Sequence, residues 1–495
     1  MNMKKILTAA ILFLAAASVL DAKEITGRVH HNKKGIANVV VSDGKNFTLT
    51  DKDGNFTINT HKDARHVFIV TPSGYVTSCD SGTPHFYRGV DEKDFNFELF
   101  RWGIPGGRYT LFAVADPQPR GEAAFERLEK EAFSELKEYG NIIMASPADW
   151  DNYFYTKNGA PVLSLFLGDI LWDNLDQYPR MKQMIKGIGH PVYPVIGNHD
   201  HDYKVADDIA SAHIYEQFFG PSNYAFNAGN DYFIVLDNIL YEGNKKYKEG
   251  VNKDQIKWVK EYLKYVPEGS HIYLAMHAQI HYYRGNYNMV NSDALLDAFN
   301  GYEVTVLTGH SHIQGNFQLR ENIREYNIAS IGGAWWLWDC KTSRDGTPLG
   351  YQVFVYNGNK RVNYYKSIGH DMIFQAKVYN PGTVYGYPDD IILKIWNWDS
   401  RWQVRARQCF KNGNKYVWED VEVVQTSMAD PDYSNYLQKE YIFNKGKEGK
   451  GTKPVDNVYF FFKVKPAPDA TAVEFKVIDP YGTSIEPYVP LKLKY

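Results

Sequence analysis

The sequence predicts an α/β domain in the middle of the chain, flanked by two segments built from β-strands. Between residues 108 and 360, short apolar runs alternate with stretches of helical periodicity, which is the pattern of a layered α/β fold. Before and after this part, apolar and polar residues alternate with period two, as in half-buried strands. A chain of 495 residues is also too long for one hydrophobic core and suggests roughly three domains.

The first 22 residues have the composition of a secretory signal peptide. Lys4 and Lys5 precede an apolar run over residues 6–20, which is too short to span a bilayer comfortably. We expect cleavage after Ala22 and a periplasmic, secreted or cell-surface protein. A retained signal-anchor helix is the alternative. No later segment is apolar enough to cross a membrane, so we expect no integral membrane segment after cleavage.

Residues 23–100 predict a small β-sandwich. An Asp-Gly turn ends the strand within residues 35–44, and a second turn leads into a strand in which Phe56 and Ile58 alternate with Thr57. These phrases resemble the carboxypeptidase-regulatory, transthyretin-like β-sandwiches found ahead of many exported enzymes. The resemblance implies a structural or docking role for this domain, without chemistry of its own.

The C-terminal segment, residues 365–495, predicts a further all-β domain. Strand-like alternation returns there without helical stretches, as in Val458, Phe460, Phe462 and Val464. At the other end, a linker rich in glycine and proline at residues 101–107 precedes the central domain.

Charge and cysteine content exclude several classes of protein. The net charge of -3 lacks the basic footprint that neutralises nucleic-acid phosphates, so we expect no nucleic-acid partner. Cys79, Cys340 and Cys409 are scattered and show no C-x-x-C metal spacing. We interpret them as small buried apolar residues, with one disulfide possible.

Five apolar runs of the central domain lead into polar side chains that can bind metal. Ligands of open α/β sheets bind outside the carboxyl ends of the strands, so residues that follow different strands can meet there. One such cluster would mean little, but five in register are hard to obtain by chance. The polar residues after the five runs are Asp116 with Gln118, Asp169, Asn198 with His199, His277, and His310 with His312.

The composition of this set indicates a pair of divalent metal ions. A buried group of imidazoles and carboxylates without a cation would leave charges unpaired. Three histidines combined with aspartate, asparagine and glutamine oxygens, without thiolate, suit Mn, Fe, Zn or Mg. Seven ligands exceed the needs of one ion but suit two ions that share a carboxylate.

The ordered blocks D-x-Q, G-D, G-N-H-D, an isolated H and G-H-x-H resemble the calcineurin-like metallophosphoesterase superfamily. The flanking β domains resemble those of one exported bacterial branch of it. The resemblance implies a central four-layer α/β/β/α sandwich and two divalent metal ions. The ligands it implies are Asp116, Gln118 and His312 for the first ion, Asn198, His277 and His310 for the second, and Asp169 bridging both.

Gln118 departs from this pattern, because the first block more often ends in histidine. An amide oxygen can still bind a metal ion, and some branches of the superfamily carry the Asp-Pro-Gln form. We expect the substitution to weaken the first site and to shift its preference toward a harder metal. Loss of activity is another consequence that it leaves open.

The resemblance further implies hydrolysis of a phosphomonoester or phosphodiester bond in a small phosphorylated substrate, by a hydroxide that bridges the two ions. His199 would stabilise the developing charge or protonate the leaving oxygen. Asp173 or Asp200 could orient His199, and the alternative is that both are solvated loop acids. The weaker candidates for substrate binding are Arg284, Tyr283 and Trp335, although the tryptophans of residues 335–338 could instead pack the central domain against the C-terminal one.

Two other functions remain open from the sequence. One is a catalytically weak or inactive cell-surface protein that keeps this fold and holds a glycan or a partner through its aromatic-rich β domains. The intact ligand set argues against it. The other is nucleic-acid processing, as in nuclease branches of the same superfamily, which the negative net charge and the export signal disfavour.

Overall fold

The computed structural model of the protein describes most of the chain, namely residues 22–103, 106–145, 161–282, 289–337, 339–357, 360–443 and 453–491. The apolar segment predicted to be a signal peptide lies in residues 1–21, outside this part of the chain. Within the described ranges, no helix combines the length and the apolar character that crossing a bilayer requires.

The N-terminal domain is a sandwich of two small sheets. Its strands are β1 (Glu24–His31), β2 (Lys34–Gly35), β3 (Val40–Ser42), β4 (Phe47–Leu49), β5 (Asn55–Asn59), β6 (His66–Ile69), β7 (Tyr75–Thr77), β8 (Tyr87–Gly89) and β9 (Asn96–Arg101). One sheet has the order β2-β1-β9-β7, with β5 also paired to β1, and the other has the order β4-β3-β6-β8. Phe56 and Ile58 are buried and Thr57 is exposed, which confirms the predicted alternation.

The central domain contains two sheets and the helices that cover them. Its strands are β10 (Tyr109–Val114), β11 (Val162–Leu167), β12 (Val192–Val195), β13 (Tyr224–Ala228), β14 (Asp231–Val235), β15 (Ile239–Gly243), β16 (Lys246–Glu249), β17 (His271–Ala275), β18 (Glu303–Thr308), β19 (Gly315–Arg320), β20 (Ile323–Asn327), β21 (Gly350–Asn357) and β22 (Lys360–Ser367). Its α-helices are α1 (Glu122–Arg127), α2 (Ser134–Ala145), α3 (Tyr178–Ile188), α4 (Asp208–Ser211), α5 (His213–Phe219), α6 (Lys253–Leu263) and α7 (Ser292–Asp297). A π-helical turn (Leu128–Phe133) joins α1 to α2, and a 3-10 turn (Leu175–Gln177) precedes α3.

The two sheets of the central domain face each other. The first has the order β12-β11-β10-β21-β22 and the second has the order β13-β14-β17-β18-β20-β19. Strands β10, β11 and β12 are parallel to one another, and so are β14, β17, β18 and β20. Parallel strands of this kind, buried on both faces, read as continuous apolar runs, which is why the sequence located them.

Helices cover the outer face of each sheet and complete four layers. Phe125 of α1 and Ile185 of α3 belong to one core with Phe112 and Phe166 of the first sheet. Helices α6 and α7 share a second core with the second sheet and with the inner face of the first. The predicted α/β/β/α sandwich is therefore confirmed. Asn252 caps α6 with a reciprocal pair of hydrogen bonds to Gln255, which fixes the start of the helix.

The C-terminal domain consists of two further sheets and one helix. Its elements are β23 (Lys377–Tyr379), β24 (Ile391–Lys394), β25 (Gln403–Asn412), β26 (Lys415–Val421), β27 (Val424–Met428), α8 (Pro431–Phe443), β28 (Val458–Val464), β29 (Ala472–Ile478), β30 (Ser484–Ile485) and β31 (Tyr488–Pro490). The sheet orders are β23-β24-β28-β27 and β26-β25-β29-β30, with β31 also paired to β29. Val458, Phe460, Phe462 and Val464 are all buried, as their alternation predicted.

Helix α8 corrects the expectation that this segment would contain strands alone. Asp430 accepts a hydrogen bond from the backbone N–H of Tyr433 at 2.7 Å, which caps the first turn. Tyr433, Tyr436 and Leu437 then pack against the loop that follows β20. Their helical spacing was a readable signal, but the stripe is short and the surrounding strands dominate the pattern.

The three cysteines are free thiols. Cys340 and Cys409 are buried, as predicted, and Cys79 is partly buried. The disulfide that the sequence left possible is not formed.

Both β domains pack directly on the central domain. The Trp258 indole of α6 stacks on Phe47 at 5.9 Å and donates to the Ser42 hydroxyl at 3.2 Å in the N-terminal domain. On the other side, the Asn397 side-chain oxygen accepts a hydrogen bond from Gln314 at 3.2 Å. The C-terminal domain therefore reaches the segment that follows β18, close to the polar residues described next.

Candidate metal centre

The residues predicted to bind metal lie together at one edge of the two central sheets. Asp116, Asp169 and Asn198 follow β10, β11 and β12, whose carboxyl ends reach the same edge. His277 follows β17 and His310 follows β18, two parallel neighbours of the second sheet. Each sheet therefore supplies part of the set, and the side chains meet between them.

Three side chains surround the Nε2 atom of His277. This nitrogen lies 3.1 Å from Asn198 Oδ1, 3.1 Å from His310 Nδ1 and 3.3 Å from Asp169 Oδ1. The ligand atoms of Asp169, His277 and His310 all lie within 4.8 Å of one another. The Nδ1 atom of His277 lies 2.7 Å from the carbonyl oxygen of Leu167, so the ring presents Nε2 to the cluster.

A second group adjoins the first one through Asp169. His312 Nε2 lies 3.3 Å from Asp116 Oδ1 and 3.1 Å from the amide nitrogen of Gln118. Its Nδ1 atom faces the carbonyl oxygen of Gly333 at 3.2 Å. The Gln118 amide nitrogen is 3.0 Å from Asp169 Oδ2. Asp169 therefore contacts one group through Oδ1 and the other through Oδ2.

The donor set fits divalent cations. Asp116 and Asp169 are buried carboxylates, and burying such charges is costly unless a cation pairs with them. The side-chain oxygen of Gln118 is also buried and has no hydrogen-bond partner among the described residues. A half turn of the amide would direct this oxygen at the carboxylates, an arrangement that only an intervening cation favours.

The pKa shifts within the cluster also indicate that cations bind there. Burial lowers the pKa of His277, but the Asp169 and Asp116 carboxylates outweigh this effect and raise the pKa to about 10. Burial also raises the pKa of Asp169, yet the neighbouring imidazoles of His277 and His199 hold that pKa below its ordinary value. Positive charge is therefore needed among these side chains, and cations can supply it in place of protons.

Backbone strain is concentrated at this edge of the sheets. Non-glycine residues rarely adopt a positive φ, and such strain tends to occur at functional sites. Gly168, with a φ of 84°, lies so close to the cluster that an added Cβ atom would be 2.4 Å from His277 Nδ1. The candidate ligands with positive φ are Asp116 (49°), Asp169 (50°), His310 (67°) and His312 (56°).

Asp200 is buried and holds two of the ligand-bearing loops together. Its carboxylate accepts hydrogen bonds from the backbone N–H of Ile170 at 3.0 Å, from that of Gly197 at 2.9 Å and from the Tyr178 hydroxyl at 2.8 Å. Burial raises the pKa of Asp200 to about 6. Asp200 is therefore neither a solvated loop acid nor the partner of His199, because its oxygens are directed at these loops.

His199 lies beside the cluster and is oriented by Asp173. Its Nδ1 atom is 2.8 Å from Asp173 Oδ1, and its ring stacks on Trp172 at 4.4 Å. The other Asp173 oxygen lies 2.5 Å from the Lys245 ammonium, so this acid is not simply solvated. Burial lowers the pKa of His199, but Asp169 and Asp173 outweigh this effect and hold the pKa above its ordinary value.

The hairpin of β15 and β16 closes one side of the centre and was not predicted to contribute. Lys245 is located at its turn, and Glu249 Oε1 lies 3.4 Å from His310 Nε2. Tyr247 meets the same imidazole edge-on at 6.0 Å. A carboxylate partner orients a metal-binding imidazole and raises its basicity, so Glu249 favours Nδ1 as the ligand atom of His310. No motif marks these residues, since only the folded hairpin brings them to the site.

Trp335 and Trp336 have different surroundings. The Trp335 ring lies 4.9 Å from the His312 ring, and the Arg344 guanidinium lies over it at 5.2 Å. Trp336 is buried and donates from Nε1 to the carbonyl oxygen of Pro117 at 2.7 Å. Trp336 therefore packs within the central domain, and the predicted packing against the C-terminal domain does not describe it. Trp335 contacts a candidate ligand directly and also belongs to the cluster that contains Tyr433 of α8.

The remaining candidates contribute less. Arg284 and Tyr283 lie outside the described residues. His201 is buried with its Nδ1 atom 2.7 Å from the Ser211 hydroxyl, and His190 is buried beside another serine hydroxyl. Each of these two histidines is therefore paired with a serine hydroxyl inside the core.

Glu325 is a further buried acid close to the centre. Its carboxylate accepts hydrogen bonds from the backbone N–H of Ile280 at 2.7 Å, from that of His281 at 2.8 Å and from the Thr308 hydroxyl at 3.0 Å. It ties the loop after His277 to the end of β18. Burial raises the pKa of Glu325 to about 7, well above its ordinary value.

This shift predicts a pH-dependent contribution of Glu325 to stability. The pKa of Glu325 is higher in the folded state than in the unfolded state. Its contribution to the free energy of unfolding is therefore fully present at pH values below the unfolded pKa and is lost as the pH rises through about 7. The free energy of unfolding of the wild type, minus that of Glu325→Gln, should fall by roughly 3 kcal/mol between about pH 4.5 and 7.5. Denaturant unfolding at several pH values measures it. The exposed Glu321→Gln serves as a control with a flat difference, and a flat or rising difference for Glu325→Gln would contradict the assignment.

Comparison with known proteins gives the same family along most of the chain. The family model described as "N terminal of Calcineurin-like phosphoesterase" matches residues 23–101, "Calcineurin-like phosphoesterase" matches 113–314, and "C terminal of Calcineurin-like phosphoesterase" matches 325–484. No curated protein matches the sequence significantly.

Several solved structures are similar to parts of the chain. A dimetal phosphatase from Danio rerio is 14% identical with a TM-score of 0.32, covering 52% of this chain and 98% of its own. A purple acid phosphatase from yellow lupin (Lupinus luteus) seeds is 12% identical with a TM-score of 0.38, covering 70% of each chain. A 5'-nucleotidase from Candida albicans is 13% identical with a TM-score of 0.32, covering 54% of this chain and 52% of its own. All three TM-scores are below 0.5, so the assignment rests on the family models.

The three family models follow one another in chain order, and the second, which ends at Gln314, contains all five blocks that carry the candidate ligands. They agree with the resemblance carried by those blocks and with the four-layer fold. The protein belongs to the calcineurin-like phosphoesterase family and carries the N- and C-terminal domains that accompany it.

Proposed function

We propose that the protein is a metal-dependent hydrolase that cleaves a phosphoester bond in a small phosphorylated substrate. The observation that carries this proposal is the buried cluster in which Asp169 contacts two groups of ligand-type side chains at once. Such a shared carboxylate suits two cations better than one. The intact donor set also argues against a protein that only binds a glycan or a partner.

The contacts support two groups of ligands, one for each of two divalent ions. Their identity, among Mn, Fe, Zn and Mg, is left open by a mixed set of nitrogen and oxygen donors. When bound, such a pair lowers the pKa of water and stabilises the charge on the phosphoryl oxygens. The first ion would be held by Asp116, Gln118 and His312, the second by Asn198, His277 and His310, and both by Asp169.

The reaction follows from the chemistry of the ester and from the position of His199. Water adds to phosphorus and loses a proton, and the bond from phosphorus to the leaving oxygen breaks with its electron pair on that oxygen. His199, held by Asp173 with its pKa above the ordinary value, can donate a proton to the leaving oxygen or a hydrogen bond to the phosphoryl group. Asp173 and Lys245 fix the ring for this role.

The same arrangement serves the hydrolysis of monoesters and of diesters. Both reactions require an attacking water, a stabilised phosphoryl group and a proton for the leaving oxygen. With its apolar segment at residues 6–20 acting as a signal, the protein would act on phosphoesters outside the cytoplasm.

Hydrolysis of p-nitrophenyl phosphate and bis(p-nitrophenyl) phosphate by the metal-loaded protein tests the proposal. We expect turnover of at least one ester that depends on added Mn or Zn, and a loss of at least about 100-fold in kcat/KM in Asp169→Asn, since one change weakens both sites. Asp176→Asn, an exposed acid of the same loop, is the matched control. Absence of turnover with bound metal in place, or equal activity of the two variants, would refute the proposal.

His199→Ala tests the role of the imidazole separately from metal binding. We expect kcat to fall by about 10²–10⁴-fold, the usual contribution of a positioned acid–base group, while the bound metal measured by elemental analysis stays as in the wild type. Asp173→Asn should cause a smaller loss, because it disturbs only the orientation of the ring. The exposed His370→Ala is the control. A near-normal kcat in His199→Ala would remove this residue from the reaction.

Gln118→His tests whether residue 118 is a ligand. An imidazole is a stronger donor than an amide oxygen for ions such as Zn, so the variant should bind Zn at the first site at least several-fold more tightly. Chelator competition measures the dissociation constants of both sites, and Gln318→His on the exposed part of β19 is the control. An unchanged or weaker first site would exclude residue 118 from the coordination shell.

A further inference from the structure

A cavity of about 300 Å³ adjoins the loops that carry the candidate ligands. We call it the side cavity. Gln279, which follows His277 by two residues, and Ser311, which lies between His310 and His312, both line the cavity. The cavity is therefore bounded by the loops that carry candidate ligands. Its volume is at the lower end of the range for small-molecule sites. The residues that define it here are Gln279, Ser311, Phe317, Asn327, Arg344 and Lys453.

Gln279 lines this cavity with a buried side-chain oxygen that lacks a hydrogen-bond donor. Its side chain is only 4% exposed, and its Oε1 atom has no hydrogen-bond partner among the described residues. A buried amide without partners costs free energy, so native proteins usually satisfy such groups. Because Gln279 lines the cavity, a molecule within the cavity can supply the missing donor.

The other walls limit the kind of molecule that fits. His281 packs against Phe317 with ring centroids 4.3 Å apart and ring planes tilted by 40°, so the two rings form an angled aromatic wall. Next to it, the Ser311 hydroxyl accepts a hydrogen bond from the Asn327 amide at 2.5 Å. The cavity thus combines a ring surface with amide and hydroxyl groups, a combination that suits a compact ring carrying hydroxyl groups.

The C-terminal domain completes the cavity. Lys453 and Val455 line it, and the backbone N–H of Val455 donates to the carbonyl oxygen of Arg344 at 3.1 Å. The Arg344 side chain extends from there over Trp335, which in turn contacts His312. A molecule in the side cavity would therefore touch both the loops of the metal centre and the C-terminal domain.

We infer that the side cavity binds the leaving group of the substrate, and that this leaving group is a monosaccharide-like ring with free hydroxyl groups. The inference rests on the proposed function, because it places the phosphoryl group at the metal centre. Gln279 accepts a hydrogen bond from a ring hydroxyl and can donate one through its amide nitrogen. The aromatic side chain of Phe317, packed against His281, offers the ring an apolar contact, and the C-terminal domain acts as part of the specificity site.

Paired substrates test this inference. Glucose 6-phosphate and cyclohexylmethyl phosphate present rings of the same size with and without hydroxyl groups, and each is supplied as the monoester and as its methyl diester. For the ester type that is hydrolysed, we expect the sugar to be preferred by at least tenfold in kcat/KM. Gln279→Leu should reduce this ratio to within about threefold, while Gln403→Leu on the exposed start of β25 should preserve it.

Two further measurements distinguish loss of ligand binding in Gln279→Leu from a loss of folding: the stability of the variant and its direct binding of the sugar phosphate. Gln279→Leu removes a buried amide oxygen that has no hydrogen-bond partner among the described residues, so the variant should unfold at a denaturant concentration no lower than that of the wild type. Saturation-transfer NMR on the metal-loaded protein should detect the ring protons of glucose 6-phosphate, and Gln279→Leu should abolish the signal. Equal rates for the two rings, or a preference that survives Gln279→Leu, would overturn the inference. If neither nitrophenyl ester is hydrolysed but the NMR signal depends on Gln279, the side cavity stands and the proposed reaction fails.

Discussion

Asp169 is buried among three imidazoles, and the arrangement of the candidate ligands at this edge of the two central sheets depends on that burial. Its two oxygens face different groups of ligand-type side chains, at 3.3 Å from His277 and 3.0 Å from Gln118. Such a carboxylate is tolerated in a buried position only when positive charge accompanies it. The strained backbone at Asp116 and Asp169 and the glycine beside His277 follow from the need to crowd these groups together.

Most of the fold could be predicted because the buried parallel strands carry a strong signal. Each of the five apolar runs forms a strand, and the polar residues that follow them converge because parallel strands end at one edge. Helix α8 was missed because its stripe of Tyr433, Tyr436 and Leu437 is short and lies among alternating strands. Sequence spacing reports local periodicity well, but it does not report which loops will meet.

The residues around the site are brought there by contacts between loops that are distant in the sequence. The sequence alone therefore indicated few of them. Asp173 and Asp200 could not be told apart by position, yet one orients His199 and the other ties two loops together. Glu249 and Lys245 reach the site on a hairpin without any motif. Gln279 belongs to no motif either, and only the folded chain buries its amide oxygen beside a cavity.

We propose that two cations share Asp169. Anomalous X-ray diffraction from crystals of the protein loaded with Mn, recorded on both sides of the Mn absorption edge, measures this directly. We expect two peaks about 3.5–4 Å apart, with the Asp169 carboxylate between them. A single peak, or two peaks that are not joined by Asp169, would contradict it.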